Sequence, residues 1–164
     1  MQGHRPIRQP LRRTNPKRKE LYKAEVRKLL EDGVIEECWS PCCSPPVLQL
    51  KKDGSHRFCV DYRKVNEVTK QQAFPIPNID SILDSLRNAR YFTKIDMKSA
   101  FHQIEIEESS RDITAFAIQE LGQFRYKRLP FGLTNGPSSY MEAMTILMRK
   151  YLPRGADALS LIHI

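Results

Sequence analysis

A chain of 164 residues is long enough for about one domain with its own core, and a composition 40% apolar and 28% charged is that of an ordinary globular protein. No run nears the ~18 to 20 consecutive apolar residues of a membrane span, and the opening Met1-Gln2-Gly3-His4-Arg5 lacks the apolar segment of a secretory leader, so the chain reads as soluble and intracellular. The formal charge of +8 is local: residues 1 to 30 carry ten Lys or Arg against Glu20 and Glu25, and the remainder balances seventeen of each sign, so a body-wide nucleic-acid surface cannot be inferred from it.

In chain order, residues 1 to 16 are rich in Pro and Arg without periodicity and predict a basic extended arm, either a solvated linker or a phosphate-contacting strand. Residues 17 to 32 predict a helix, with Leu21, Ala24, Leu29 and Leu30 on one face, a Glu20–Lys23 pair at i,i+3, and Gly33 as its stop. The prolines of Ser40-Pro41-Cys42-Cys43-Ser44-Pro45-Pro46 forbid helix and predict a loop. Val47 to Leu50 and Arg57 to Tyr62 predict a hairpin with a basic tip, turned by Asp53-Gly54. Ala73 to Pro77 predicts an extended link, and Asn78 the cap of a helix of about ten residues bearing Ile79, Ile82, Leu83 and Leu86.

The strand candidate Tyr91 to Asp96 ends on a carboxylate, followed by a helix-like turn over Met97 to Phe101 and a second strand from His102 to Ile106. A carboxylate where a buried strand opens into a turn is costly unless a cation meets it, so Asp96 marks the place to look for chemistry. Ile113 to Ile118 and Phe124 to Leu129 predict another hairpin around Leu121-Gly122, and residues 137 to 151 a helix with Tyr140, Met141, Met144, Leu147 and Met148 inward. This order predicts an α+β domain with an antiparallel sheet.

Glu105, Glu107, Glu108 and Asp112 alternate with Ile104 and Ile106 in part, and read as a solvated strand face rather than a metal cluster. Four cysteines, Cys38, Cys42, Cys43 and Cys59, are too few for a disulfide scaffold, so reduced thiols are expected. A zinc site from Cys38, Cys42, Cys43 and His56 is a weaker alternative, because the paired Cys-x-x-Cys spacing is missing.

Four segments together are far more specific than any one of them. They are Lys51-Lys52-Asp53-Gly54 with Arg57 and Val60-Asp61-Tyr62-Arg63-Lys64-Val65-Asn66; Phe74-Pro75-Ile76-Pro77; Asp96 to Ile106; and Leu129-Pro130-Phe131-Gly132-Leu133-Thr134-Asn135-Gly136-Pro137. In this order and spacing the chain resembles, from about Arg5 to Ala158, the reverse transcriptase of retroviruses and of gypsy-like LTR retrotransposons. The resemblance implies reverse transcriptase fingers plus a partial palm over residues 17 to 158, and an RNA-directed DNA polymerase working on an RNA or DNA template-primer with dNTP. It implies two Mg²⁺ ions, with Mn²⁺ as an alternative, membership of a retroelement polyprotein, and a cytoplasmic retroelement particle.

By the same resemblance Asp96 is the catalytic, metal-binding carboxylate, and the Met97 main-chain carbonyl helps hold the metal on the triphosphate. Lys52, or its neighbour Lys51, and Arg57 grip the β- and γ-phosphates. Ser99 and Ala100 turn backbone N–H groups to the triphosphate, Phe101 packs under the sugar and excludes a ribose 2′-hydroxyl, and Phe131 and Gly132 line the nucleotide pocket. The family's Tyr-x-Asp-Asp turn is absent from these 164 residues, and residues 159 to 164 read as a truncated or non-native tail. The 164-residue polypeptide alone is therefore expected to be inactive. The alternative is a non-catalytic remnant that binds nucleic acid through its basic arm.

Overall fold

The computed structural model describes residues 6–51, 54, 56–72, 78, 80, 84, 87, 90 and 96–151. The expected strand over 91–95, the link over 73–77, the apolar positions of the helix after Asn78, and Lys52 lie outside them. Helix α1, Pro16–Glu31, starts where the Asn15 carboxamide oxygen accepts the Arg18 N–H at 2.8 Å. Pro16 occupies its first turn, where a missing N–H costs nothing. The helix stops at Gly33, whose φ of +65° is a left-handed conformation that L side chains resist.

Tyr22 and Val26 form the buried stripe of α1, flanked by half-buried Leu29 and Leu30. Ala24 is exposed, a correction to the expected face: Tyr22, Val26, Leu29 and Leu30 repeat every three to four residues with the larger apolar area, so burial selects them. The Glu20–Lys23 pair forms at 2.8 Å.

Strand β1, Ile35–Glu37, pairs antiparallel with β5, Gly122–Tyr126, which pairs in turn with β4, Phe116–Ile118. A separate antiparallel hairpin joins β2, Pro46–Leu50, to β3, His56–Val60, in register Pro46↔Val60 to Leu50↔His56. The hairpins were legible in the sequence, but β3, β4 and β5 are shorter than expected, while β2 begins one residue earlier, at Pro46. Asp112–Thr114 is a 3-10 turn before β4, and β3 ends before Asp61 and Tyr62, because Tyr62 leads into the short helix α2, Arg63–Val68.

His102 to Ile106 is not a strand. Ala100–Gln103 is a 3-10 turn entered through Ser99 at φ +50°, and only a short bridge follows, with Leu129 N–H on the Ile104 carbonyl at 2.9 Å and Ile106 N–H on the Lys127 carbonyl at 2.8 Å. The left-handed Ser99 turns the chain before an extended run can begin. Helix α3 is Glu108–Arg111 and α4 is Gly136–Tyr151. Tyr140, Met141 and Met144 of α4 are buried, whereas Leu147 is exposed, a second correction to the expected inward face.

The core is built around Phe116, fully buried, with Phe58, Phe124 and Tyr126 rings 5.4, 5.8 and 5.6 Å away. It therefore fuses the β2–β3 hairpin to the three-stranded sheet. Tyr62 adds a buried hydroxyl that donates to the Thr114 carbonyl at 2.9 Å. The arm is stitched to the loop before β2: the Gln9 N–H donates to the Cys43 carbonyl and the Cys43 N–H to the Ile7 carbonyl, both at 2.9 Å. Among the described residues no helix is long and apolar enough to cross a membrane.

Candidate active site

A cleft of about 380 Å³ opens between α1, the β2–β3 hairpin and the turn after Asp96. Lys51 and Arg57 reach it from the hairpin, Ser99 and His102 from the turn, and Phe131 from the loop before α4. Five expected or neighbouring residues from three distant stretches of chain thus meet at one cavity. Because β2 and β3 are antiparallel, Lys51 and Arg57 leave the same end of the hairpin, which concentrates positive charge at a tip.

Phe131 is 38% exposed, enough to present one face to the cleft. Its ring meets Phe101 at 5.0 Å and His102 at 5.7 Å, both nearly edge-on, and the Arg57 guanidinium stands 5.7 Å from its centroid, within cation–π range. Phe101 also packs on Tyr140 at 5.7 Å. His102, read in the sequence only as the start of a strand, therefore belongs to the wall of the cleft, and burial lowers its pKa below the usual imidazole value while Asp32 opposes this.

The loop that carries Phe131 is held by a residue whose role the sequence did not reveal. Asn66 of α2 donates from its amide nitrogen to the Gly132 carbonyl at 2.8 Å and accepts the Thr134 N–H at 2.9 Å. Gly132 has φ +96°, and a Cβ there would sit 3.5 Å from the Val60 carbonyl oxygen. Asn135 completes the clamp, donating to the Lys70 carbonyl at 2.9 Å and accepting the Gln72 N–H at 3.0 Å. The signal for Asn66 was its place in the Val60 to Asn66 motif, which says nothing of its partner.

Asp96 is exposed and precedes the turn by two residues. No burial penalty demands a cation there, which corrects the expectation of a buried carboxylate. Met97 is half-buried, and its sulfur accepts the Tyr140 hydroxyl at 3.4 Å. Ala100 opens the 3-10 turn.

The acidic run is taken up by arginines: Glu105 meets Arg128 at 3.0 Å, and Asp112 meets Arg125 at 2.7 Å, with Glu36 on the same guanidinium at 2.8 Å. Among the described residues no three His, Cys, Asp or Glu gather to hold a metal, so Cys38, Cys42, Cys43 and His56 do not assemble the zinc alternative. Burial instead pushes the Cys38 thiol up to about 11, favouring the protonated form.

Asp61 anchors a second charged group beside the arm. Arg63 holds it through two hydrogen bonds of 2.8 and 2.7 Å, and Arg12 adds one of 2.6 Å. The Arg63 bonds, with help from Arg12, lower its carboxyl to about 2.

Comparison with known proteins places these features in a family context. The family model described as reverse transcriptase (RNA-dependent DNA polymerase) matches residues 49–161. The chain is 43% identical over 133 residues to the retrovirus-related Pol polyprotein from transposon 412 of Drosophila melanogaster, covering 77% of this chain and 11% of that protein. It is 37% identical over 134 residues to the Pol polyprotein from transposon gypsy of the same organism, covering 78% of this chain and 13% of that protein. The structure of a foamy viral protease-reverse transcriptase in complex with double-stranded DNA superposes with a TM-score of 0.78 at 28% identity, covering 90% of this chain and 26% of that one. The chain spans only about an eighth of the relatives' length.

Proposed function

Because the chain belongs to the reverse transcriptase (RNA-dependent DNA polymerase) family, we propose that its cleft takes the deoxynucleoside triphosphate of RNA-directed DNA synthesis, and that the chain supplies the fingers and part of the palm to a larger retroelement polyprotein. The convergence of Lys51, Arg57, Ser99 and Phe131 on one cleft carries this reading. Lys51 and Arg57 are the cations that meet the β- and γ-phosphates, with Lys52 beside them by its place in the sequence. Charge-assisted bonds to phosphate are about twice as strong as neutral ones. Ser99 and Ala100 offer backbone N–H groups, and Phe101, braced by Phe131 and Tyr140, has little room to yield to a 2′-hydroxyl.

Asp96 and the Met97 carbonyl are the oxygen donors for Mg²⁺, or Mn²⁺ in its place. Asp96 does not itself line the cleft, but an exposed carboxylate three residues before Ser99, which does, suits an ion that keeps waters and shares substrate phosphates. When bound, the metal supplies charge neutralisation at the transferring phosphoryl group. The template-primer, RNA or DNA, is the partner that this chemistry requires, and a foamy viral relative in complex with double-stranded DNA supports it.

Binding of dTTP with Mg²⁺ to the 164-residue chain tests the site, by equilibrium dialysis. Arg57→Ala should weaken binding by about tenfold, the loss of one charge-assisted contact; absence of binding by the unmodified chain overturns the reading. Primer extension on an RNA template with the same polypeptide should show no incorporation, since Asp96 is its single match to the family's metal carboxylates, and clear incorporation refutes that part.

The concentration of charge in residues 1 to 30 favours a second reading, a non-catalytic nucleic-acid binder. Arg13, Lys17 and Arg18 are exposed, so replacing all three with Gln leaves the core intact. If this reading holds, the slope of log K against log salt falls by about 2 to 3, while Asp96→Asn changes nothing.

A further inference from the structure

Tyr140 lies on α4, 8% exposed, and the core reading of it accounts for its ring but not for its hydroxyl. A buried tyrosine hydroxyl seeks a partner, and here it donates to the Met97 sulfur at 3.4 Å. The same ring meets Phe101 edge-on at 5.7 Å. One side chain therefore touches both ends of the segment from Met97 to Phe101.

That segment is hard to hold from within. Ser99 adopts φ +50° and ψ +47°, a left-handed conformation that strains a non-glycine residue. Among the described residues its own bonds are three: the His102 N–H on the Ser99 carbonyl at 2.8 Å, the Ile104 N–H on the Phe101 carbonyl at 3.1 Å, and the Gln103 side-chain amide on the Lys98 carbonyl at 3.2 Å. A strained turn persists when its surroundings over-determine it, and contacts on both flanks do so.

The geometry points to Tyr140 as a positioning residue. Its hydroxyl and ring clamp the Met97–Phe101 segment so that the Asp96 carboxylate and the Ser99 and Ala100 N–H groups face the nucleotide in fixed register. This rests on the reading of the cleft as a nucleotide site. The thioether is a weak acceptor, so the hydroxyl acts by fixing geometry more than by stabilising the fold.

The test uses the 164-residue chain carrying Tyr140→Phe, Met97→Leu, or both. The first keeps the ring, and the second roughly conserves volume while removing the sulfur. Hydrogen exchange is followed on peptides covering 97–104, with 56–60 as the internal control, beside dialysis of dTTP with Mg²⁺. Each single substitution should speed exchange over 97–104 by about 3- to 5-fold, with no further gain in the double variant and no change over 56–60. The dTTP affinity should fall by a similar factor in the same pattern.

Unchanged exchange over 97–104, additive effects of the two substitutions, or equal acceleration everywhere overturns the inference. So does loosened exchange with dTTP affinity unaltered. If the unmodified chain binds no dTTP, the nucleotide reading fails, and the exchange pattern alone decides whether Tyr140 holds the segment.

Discussion

Asn66 does with one carboxamide what would otherwise take two residues, giving a donor to the Gly132 carbonyl and an acceptor to the Thr134 N–H. Asn66→Ala removes both bonds and should cost about 1 to 2 kcal/mol, read as a lower urea midpoint, with a larger loss of dTTP affinity as Phe131 drifts. Asp61 behaves differently, because its bond to Arg63 is charged. Its folded pKa of about 2 lies below the ordinary carboxylate value of ~3.9. The stabilisation is therefore complete above pH ~4 and is lost as pH falls through about 2. Urea midpoints taken between pH 2 and 7 should fall less steeply below pH 4 for Asp61→Asn than for the unmodified chain. Phe101 and Asp96 were singled out by their motif alone, whereas the Phe101–Phe131 contact joins residues thirty positions apart and no local pattern announces it.

Turns and caps set the elements. Gly33 and Gly132 both hold positive φ, +65° and +96°, but nothing lies within 4 Å of a Cβ at Gly33, while one at Gly132 meets the Val60 carbonyl oxygen at 3.5 Å. Gly33→Ala should cost about 1 kcal/mol of backbone strain, and Gly132→Ala should cost more, because φ +96° lies beyond the small left-handed region open to L residues, and relief of that strain in the loop bearing Phe131 should also weaken dTTP binding. Thermal melts of the two variants, run beside dialysis, separate the effects. The Glu20–Lys23 spacing and Gly33 made α1 readable over 17 to 32, as did Asp53-Gly54 for the β2–β3 hairpin, whereas the cap at Asn15 emerged only in the structure. The false strand over His102 to Ile106 arose because apolar alternation is visible in sequence and the left-handed Ser99 is not.

Across the whole molecule, Phe116 decides whether the hairpin and the three-stranded sheet move as one body. Fully buried among three aromatic rings, it should cost about 3 to 5 kcal/mol on replacement by Ala, a large share of the ~5 to 15 kcal/mol typical of a domain. Calorimetry of Phe116→Ala should show a broad, low transition or none. The Arg12–Asp61 contact and the Gln9 and Cys43 backbone bonds show that the basic arm is packed on the body, which its composition did not reveal. Exposed Ala24 and Leu147 make the same point for helix faces: several apolar stripes were available, and the packing partner selected one.

The amino-acid order alone determined the family, the first helix with its stop at Gly33, the two hairpins and the residue types that chemistry at phosphate demands, because these depend on local dihedral preference and on short motifs at set spacing. Only the tertiary structure decided that Lys51, Arg57, Ser99 and Phe131 share one cleft, that Asn66 holds the loop beneath it, that Asp96 is exposed, and that Tyr140 reaches Met97. Those facts rest on contacts between residues far apart in the chain, and such contacts are settled by packing the whole core rather than by any one segment.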